Sequence, residues 1–140
     1  MKNIKKGIYI SIKPKHASRI EKLVKNYEFR KYIPKNKIDY LIVYETVPTC
    51  AIKYVIELGK IVEYPDKIDE EGYGNKDFNE GLKKSKYAYQ IKHLEKLKNS
   101  ISLVYLKQKY NFTPPQSYAY FEKYPELTEF TFNSEKVALK

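Results

Sequence analysis

The run CAIKYVIELGKIVEY, residues 50–64, constrains the fold of this chain more than any other stretch. Its β-branched and aromatic residues read as strand, but it extends well beyond the ~5–6 residues of an ordinary strand. A strand of that length in a small domain has to bend, and Gly59 marks the place, since a glycine inside a strand signals a bulge or corner. A sheet bent at such a corner curls toward a barrel. Its neighbour is close at hand. IDYLIVYE (38–45), joined to it by the turn TVPT, is apolar enough to be a central strand.

The remaining elements fit around this pair. GIYISI (7–12) alternates β-formers and reads as a first strand. Pro14 opens a helix whose apolar positions Ala17, Ile20, Leu23 and Val24 recur at helical spacing. NYEFRKY returns to strand and is ended by Pro34. Residues 65–84 are rich in acids, glycines and asparagines, with Phe78 and Leu82 hinting at a short helix, and are expected to form a mobile loop. YAYQIKHLEKL (87–97) is a strand. SISLVYLKQKY follows as a helix with Ser102 as its N-cap, and FTPPQSYAYF turns on a double proline into a last short strand. The pattern is α+β: a small, mixed β-barrel or curved sheet with helices at its rim. With no repeat or linker, residues 1–140 form a single domain with its core at about 7–121. Residues 122–140, which show no clear period, are expected to be a peripheral extension with a fraying end.

Composition excludes several classes. At 140 residues, with 42% hydrophobic and 15% aromatic content, the chain can bury a core without staples. No apolar run approaches the ~20 residues of a membrane helix. The opening MKNIKKGIYISIKPK has the basic head of a secretory signal, but its apolar part is short and is cut by Lys13, so a cytoplasmic protein without a membrane partner is expected. Cys50 is the only cysteine and lies far from His16 and His93 in sequence, so neither a disulfide nor a metal site is expected, and no cofactor. The formal net charge of +10 has two readings. Lysines that neutralise phosphates supply sequence-independent affinity for a polyanion, yet a lysine-rich, tyrosine-rich chain also reflects coding bias. Of the 27 basic residues all but Arg19 and Arg30 are lysine, so the two arginines carry more information.

Arg30 stands two residues from Glu28 within YEFR, and a strand points such residues to one face. If that face lines a groove, the guanidinium offers a fork for phosphate or a base edge, and the carboxylate accepts from an exocyclic amine. Tyr27, Tyr44 or Tyr118 would stack a base. Lys13, Lys25 and Lys31 would hold the backbone. The plainer alternative is a surface ion pair of small worth.

Three blocks add to this reading: YISIKPKHASRIEKLVKNYEFRK, then DYLIVYETVPTCAI, and later ISLVYLKQKYNFTPPQSYAYF. Together they resemble the ASCH domain family, a branch of the PUA-like superfamily, in the group with SIKP, KxxEFR and PPQS motifs. The resemblance covers roughly residues 8–121. It implies a small β-barrel with helices at its ends and a groove between barrel and first helix, in a superfamily that binds RNA or modified nucleobases. Ser11, Lys13, Lys25, Glu28, Arg30, Tyr44, Thr46, Gln116, Ser117 and Tyr118 are the site residues it implies, and Lys31 joins them as one of the lysines read above as holding the backbone. Two positions depart from the family pattern, where Leu23 and Lys53 replace glycines.

The expected function is therefore binding of RNA or a modified nucleoside, with DNA or a nucleoprotein as further possible partners. Two alternatives belong to other classes. Some ASCH proteins resemble amidohydrolases that deacetylate N4-acetylcytidine with a lysine, a threonine and a glutamate. Lys25 matches that lysine, but the threonine position is Glu28, a poor replacement for an attacking hydroxyl. Lys25 and Glu28 are the catalytic candidates of that alternative. The second is a basic regulatory module that docks on a nucleoprotein.

Overall fold

The computed structural model describes residues 5–140; the first four residues, which begin both the basic head and the expected 1–140 domain, lie outside the described residues. Strand β1 (Gly7–Ile12) leads into helix α1 (Pro14–Glu21), followed by β2 (Tyr27–Arg30), β3 (Tyr40–Glu45) and β4 (Ala51–Glu63). A short helix α2 (Asn75–Asn79) precedes the long β5 (Tyr87–Ser102), α3 (Leu103–Tyr110), β6 (Ala119–Tyr120), α4 (Pro125–Asn133) and β7 (Lys136–Ala138). The strands form one mixed sheet in the order β2-β5-β4-β3-β1-β6, with β7 added to β5. Among the described residues only the β1–β3 pair is parallel.

The long β4 and β5 make the sheet curl. Their register slips on either side of Leu58, and the second slip, between Leu58 and Ile61, spans Gly59. There the Gln90 side-chain oxygen lies where a Cβ would stand and accepts the Lys60 N–H at 3.1 Å, so any larger residue at 59 would displace the bond that closes the bulge. The result is a half-barrel. β1 and β2 are not neighbours in the sheet, and the side chain of Arg30 reaches from β2 to the Ser11 carbonyl of β1 at 3.0 Å.

Alternation along the strands divides the core into two faces. Ile8, Ile10 and Ile12 of β1 point inward with Leu41, Val43, Ile56, Tyr89 and Leu94, and Ala17 and Ile20 of α1 close over them. Tyr9 points outward with Ile42, Tyr44, Ile52, Val55 and Leu97, under Leu106 of α3, Phe112 and Leu127 of α4. Tyr9 is edge-on to Phe112, Phe121 and Tyr124, and its hydroxyl is paired with that of Thr128 at 2.7 Å. That pairing satisfies the one polar atom of a fully buried ring.

Three expectations are corrected. α1 ends at Glu21 rather than continuing through Val24, because Leu23 adopts the left-handed conformation (φ 62°). The Leu23 N–H bonds to the Ile20 carbonyl and the Val24 N–H to that of Arg19, the pattern of a Schellman cap. Residues 65–84 are not a loose loop. Ile68 and Phe78 bury themselves in a third cluster with Tyr27 and Val62, and the Asn79 amide bonds both the N–H and the carbonyl of Ile68. The stretch 122–140 is not a peripheral extension with a fraying end. Leu127 and Thr131 are fully buried and β7 extends the sheet, since proline at the first turn of α4 and apolar residues on one side make a packed helix of a weakly periodic sequence. Among the described residues no helix is long and apolar enough to cross a membrane.

Candidate functional site

Where β1 and β2 face each other across the open side of the half-barrel, a pocket of about 370 Å³ forms. Its floor is apolar: Ile8, Ile10 and Tyr89 are at most 2% exposed. Its walls and mouth come from Phe29, Arg30, Lys31, Tyr32, Ser85 and residues 116–118. No carboxylate is among the lining residues.

Arg30 is held from two sides. Its Nη2 lies 2.9 Å from a Glu28 carboxylate oxygen and donates to the Ser11 carbonyl at 3.0 Å. The second Glu28 oxygen accepts from the Lys25 ammonium at 2.9 Å, and Lys25 also donates to the Tyr27 carbonyl. Lys25 is only 4% exposed and Glu28 7%. Burial alone would raise the Glu28 carboxyl, but Lys25 and Arg30 outweigh it and hold it below its ordinary value. Burial likewise pushes the Lys25 ammonium down, against the pull of Glu28. The three charges sum to +1, and the member that reaches the pocket is the guanidinium. Its Nε is buried without a hydrogen-bond partner among the described residues.

The 114–118 segment is fixed by the opposite strand, because the Ser11 hydroxyl donates to the Pro115 carbonyl at 2.7 Å. This brings Gln116, Ser117 and Tyr118 to the pocket. The Tyr118 ring lies edge-on to Tyr120 at 5.4 Å. Tyr89, opposite Glu28 in the β2–β5 register, donates its hydroxyl to the Tyr32 carbonyl, and burial pushes that phenol up to about 12 despite Arg30 nearby.

Of the residues singled out in the sequence, Arg30, Lys31, Gln116, Ser117 and Tyr118 line the pocket, and Ser11, Lys25 and Glu28 support it from behind. The other three lie elsewhere. Lys13 caps α1 with its carbonyl and is exposed. Tyr44 points to the outer core against Phe112, its phenol pushed up to about 12 by burial and by Cys50. Thr46 begins the turn after β3. No α1 residue lines the pocket, so the concavity lies at the barrel opening rather than between barrel and first helix. Tyr27 is also no stacking platform: it is fully buried and its hydroxyl donates to Glu70 at 2.9 Å. Sequence reasoning missed Tyr32, Ser85 and Tyr89, and with them Ile8, Ile10 and Phe29. Tyr89 had a signal in its strand alternation, while Ser85 sits in a connection that carries none.

Comparison with solved structures places this architecture. The crystal structure of ASCH from Zymomonas mobilis matches it with a TM-score of 0.67, covering 92% of this chain and 96% of that one. The fold is that of the ASCH proteins. Sequence identity is 24%, so what the two share is the ASCH fold. Two variants of the Zymomonas mobilis protein, one with tyrosine replaced by phenylalanine and one with serine replaced by alanine, match equally: TM-scores of 0.67 and 0.66, each at 23% identity and over 94% of this chain. No family model matches the sequence, and no curated protein is significantly similar to it. In this ASCH fold the pocket sits on the open edge of the sheet, where β1, β2 and the 116–118 segment converge.

Proposed function

We propose that the chain is an ASCH-type binding protein for RNA or a modified nucleoside, which takes one nucleotide unit into the pocket under Arg30. The observation that carries this reading is the orientation of Arg30, locked by Glu28 and the Ser11 carbonyl at the mouth of a pocket that contains aromatic rings and no acid. A volume of about 370 Å³ lies within the roughly 300–1,000 Å³ of small-molecule sites. Glu28 acts as the positioning residue for Arg30 rather than as a reader, because both of its oxygens are engaged by cations.

The amidohydrolase reading gains less support. Lys25 and Glu28 are paired with each other and neither lines the pocket, so the two residues that reading relies on do not face a substrate there. The test of binding is fluorescence anisotropy with a labelled single-stranded RNA. Arg30→Ala is expected to weaken binding at least about tenfold, the worth of a charge-assisted contact, with Lys107→Ala on the far helix α3 unchanged. Equal loss from both substitutions would favour the basic docking module instead.

A further inference from the structure

The charge balance behind Arg30 says which part of a nucleotide the pocket prefers, an inference that rests on the reading just given. A guanidinium paired with one carboxylate is electrically neutral and makes an indifferent anion site. Here the carboxylate is shared. Glu28 gives one oxygen to the Lys25 ammonium at 2.9 Å and the other to Arg30 at 2.9 Å, so Lys25, 4% exposed and absent from the pocket lining, cancels Glu28 from behind. The charge of Arg30 therefore reaches the pocket uncompensated, and Lys31 stands next to it.

The remaining lining groups agree. The side chains of Ser85, Gln116 and Ser117 donate hydrogen bonds, and no Asp or Glu is present to repel an anion. The Nε of Arg30 is a buried donor with nothing to donate to among the described residues. Ile8, Ile10 and Tyr89 close the floor and Ser11 pins the 114–118 segment across one side. A blind, apolar floor suits the flat heterocycle at the end of a molecule, and two cations at the mouth suit a phosphate attached to it.

We propose that the pocket takes a nucleotide bearing a terminal phosphomonoester, either a free nucleoside monophosphate or the 5′-phosphorylated end of an RNA, in preference to an uncharged nucleoside or an internal residue of a strand. Arg30 and Lys31 hold the phosphate, and the Ile8, Ile10 and Tyr89 floor receives the base.

Isothermal titration of the intact protein with uridine, uridine 5′-monophosphate and inorganic phosphate tests this, with a 5′-phosphorylated oligouridylate and its 5′-hydroxyl counterpart as the second arm. The monophosphate is expected to bind at least about tenfold more tightly than uridine and than phosphate alone. Arg30→Ala should remove most of that advantage. Lys31→Ala, at an exposed position outside the core, should remove part of it and does not endanger the fold. A phosphorylated oligomer that outbinds both its hydroxyl counterpart and the free monophosphate identifies a strand end; a monophosphate that binds as well as or better than the phosphorylated oligomer identifies the free nucleotide. Equal affinity for uridine and its monophosphate would overturn the phosphate preference and leave the nucleoside-binding reading standing. Equal affinity for phosphate and the monophosphate would reduce the pocket to an anion site. No binding of any uridine ligand while the labelled RNA of the anisotropy assay still binds would overturn this proposal alone, and loss of the RNA as well would remove both readings together.

Discussion

Glu28 is the residue on which the rest of the site depends. It is buried between two cations, and replacing it by alanine leaves the Lys25 ammonium in the interior without its carboxylate. Removing one partner of a buried pair typically costs about 3–5 kcal/mol, and the midpoint of urea unfolding should fall accordingly. Acid should act through the same group. The folded carboxyl, facing Lys25, Arg30 and His16, stays ionised to lower pH than an unfolded glutamate with its value of about 4.3. Between the two values the unfolded chain binds more protons, so this stabilisation is complete above the unfolded value and is lost as pH falls through the folded one. Urea midpoints measured from neutral pH down to pH 3 should drop less steeply for Glu28→Gln than for the parent chain. The residual slope belongs to Glu21 and Glu70, whose carboxyls are also held low, and to His16, which burial holds below its ordinary value. An unchanged slope would deny Glu28 its part. This residue and Arg30 were legible from YEFR, because strand parity alone puts them on one face. The ion pair of Lys25 with Glu28 was not: Lys25, named as a site residue, precedes the strand, and only the turn after α1 carries its ammonium back to Glu28. Tyr44 escaped for a different reason, since the run YLIVY between Asp39 and Glu45 is aromatic or aliphatic on both parities and does not say which of them faces the barrel interior.

At the scale of elements, the end of α1 invites repair. Leu23 occupies the left-handed C′ position that glycine fills without penalty, with about half of its surface exposed, 52%. The left-handed conformation costs a non-glycine residue roughly 1–2 kcal/mol, and glycine returns about 0.5–1 of that as backbone entropy. Leu23→Gly is expected to stabilise the protein by about 0.5–1 kcal/mol, seen as a rise of about 2–4 °C in Tm by calorimetry. A fall in Tm would mean that the Leu23 side chain makes contacts worth more than the strain. The segment between β4 and β5 is held by asparagines as well as by Ile68 and Phe78 in the third cluster. Asn79→Ala removes both bonds to the Ile68 backbone, and limited proteolysis should then cut within 65–84 faster than in the parent. The sequence of this stretch looked loose because its order comes from side-chain amides closing on backbone groups across eleven residues, which neither helical nor strand periodicity reports.

For the molecule as a whole, the outer face of the sheet needs its carboxyl-terminal cover. Leu127 is completely buried in α4 against the outer cluster, and Leu127→Ala should cost about 2–5 kcal/mol in chemical unfolding. A cost below 1 kcal/mol would restore the peripheral extension that the weak period of 122–140 implied. The curled sheet itself could be foreseen from 50–64 with Gly59, but not the incomplete closure, because no local pattern says whether β2, at one end of the sheet, will pair with β1 near the other. That incompleteness has a consequence for motion. Where neighbouring strands elsewhere are zipped by ladders, β1 and β2 are stitched by the Arg30 guanidinium, so the same atoms serve both the cohesion of the barrel and the capture of a guest. A visitor that engages Arg30 without drawing it from Ser11 tightens the stitch, and amide protons of β1 and β2 should then exchange more slowly; one that pulls the guanidinium away loosens the barrel as it enters.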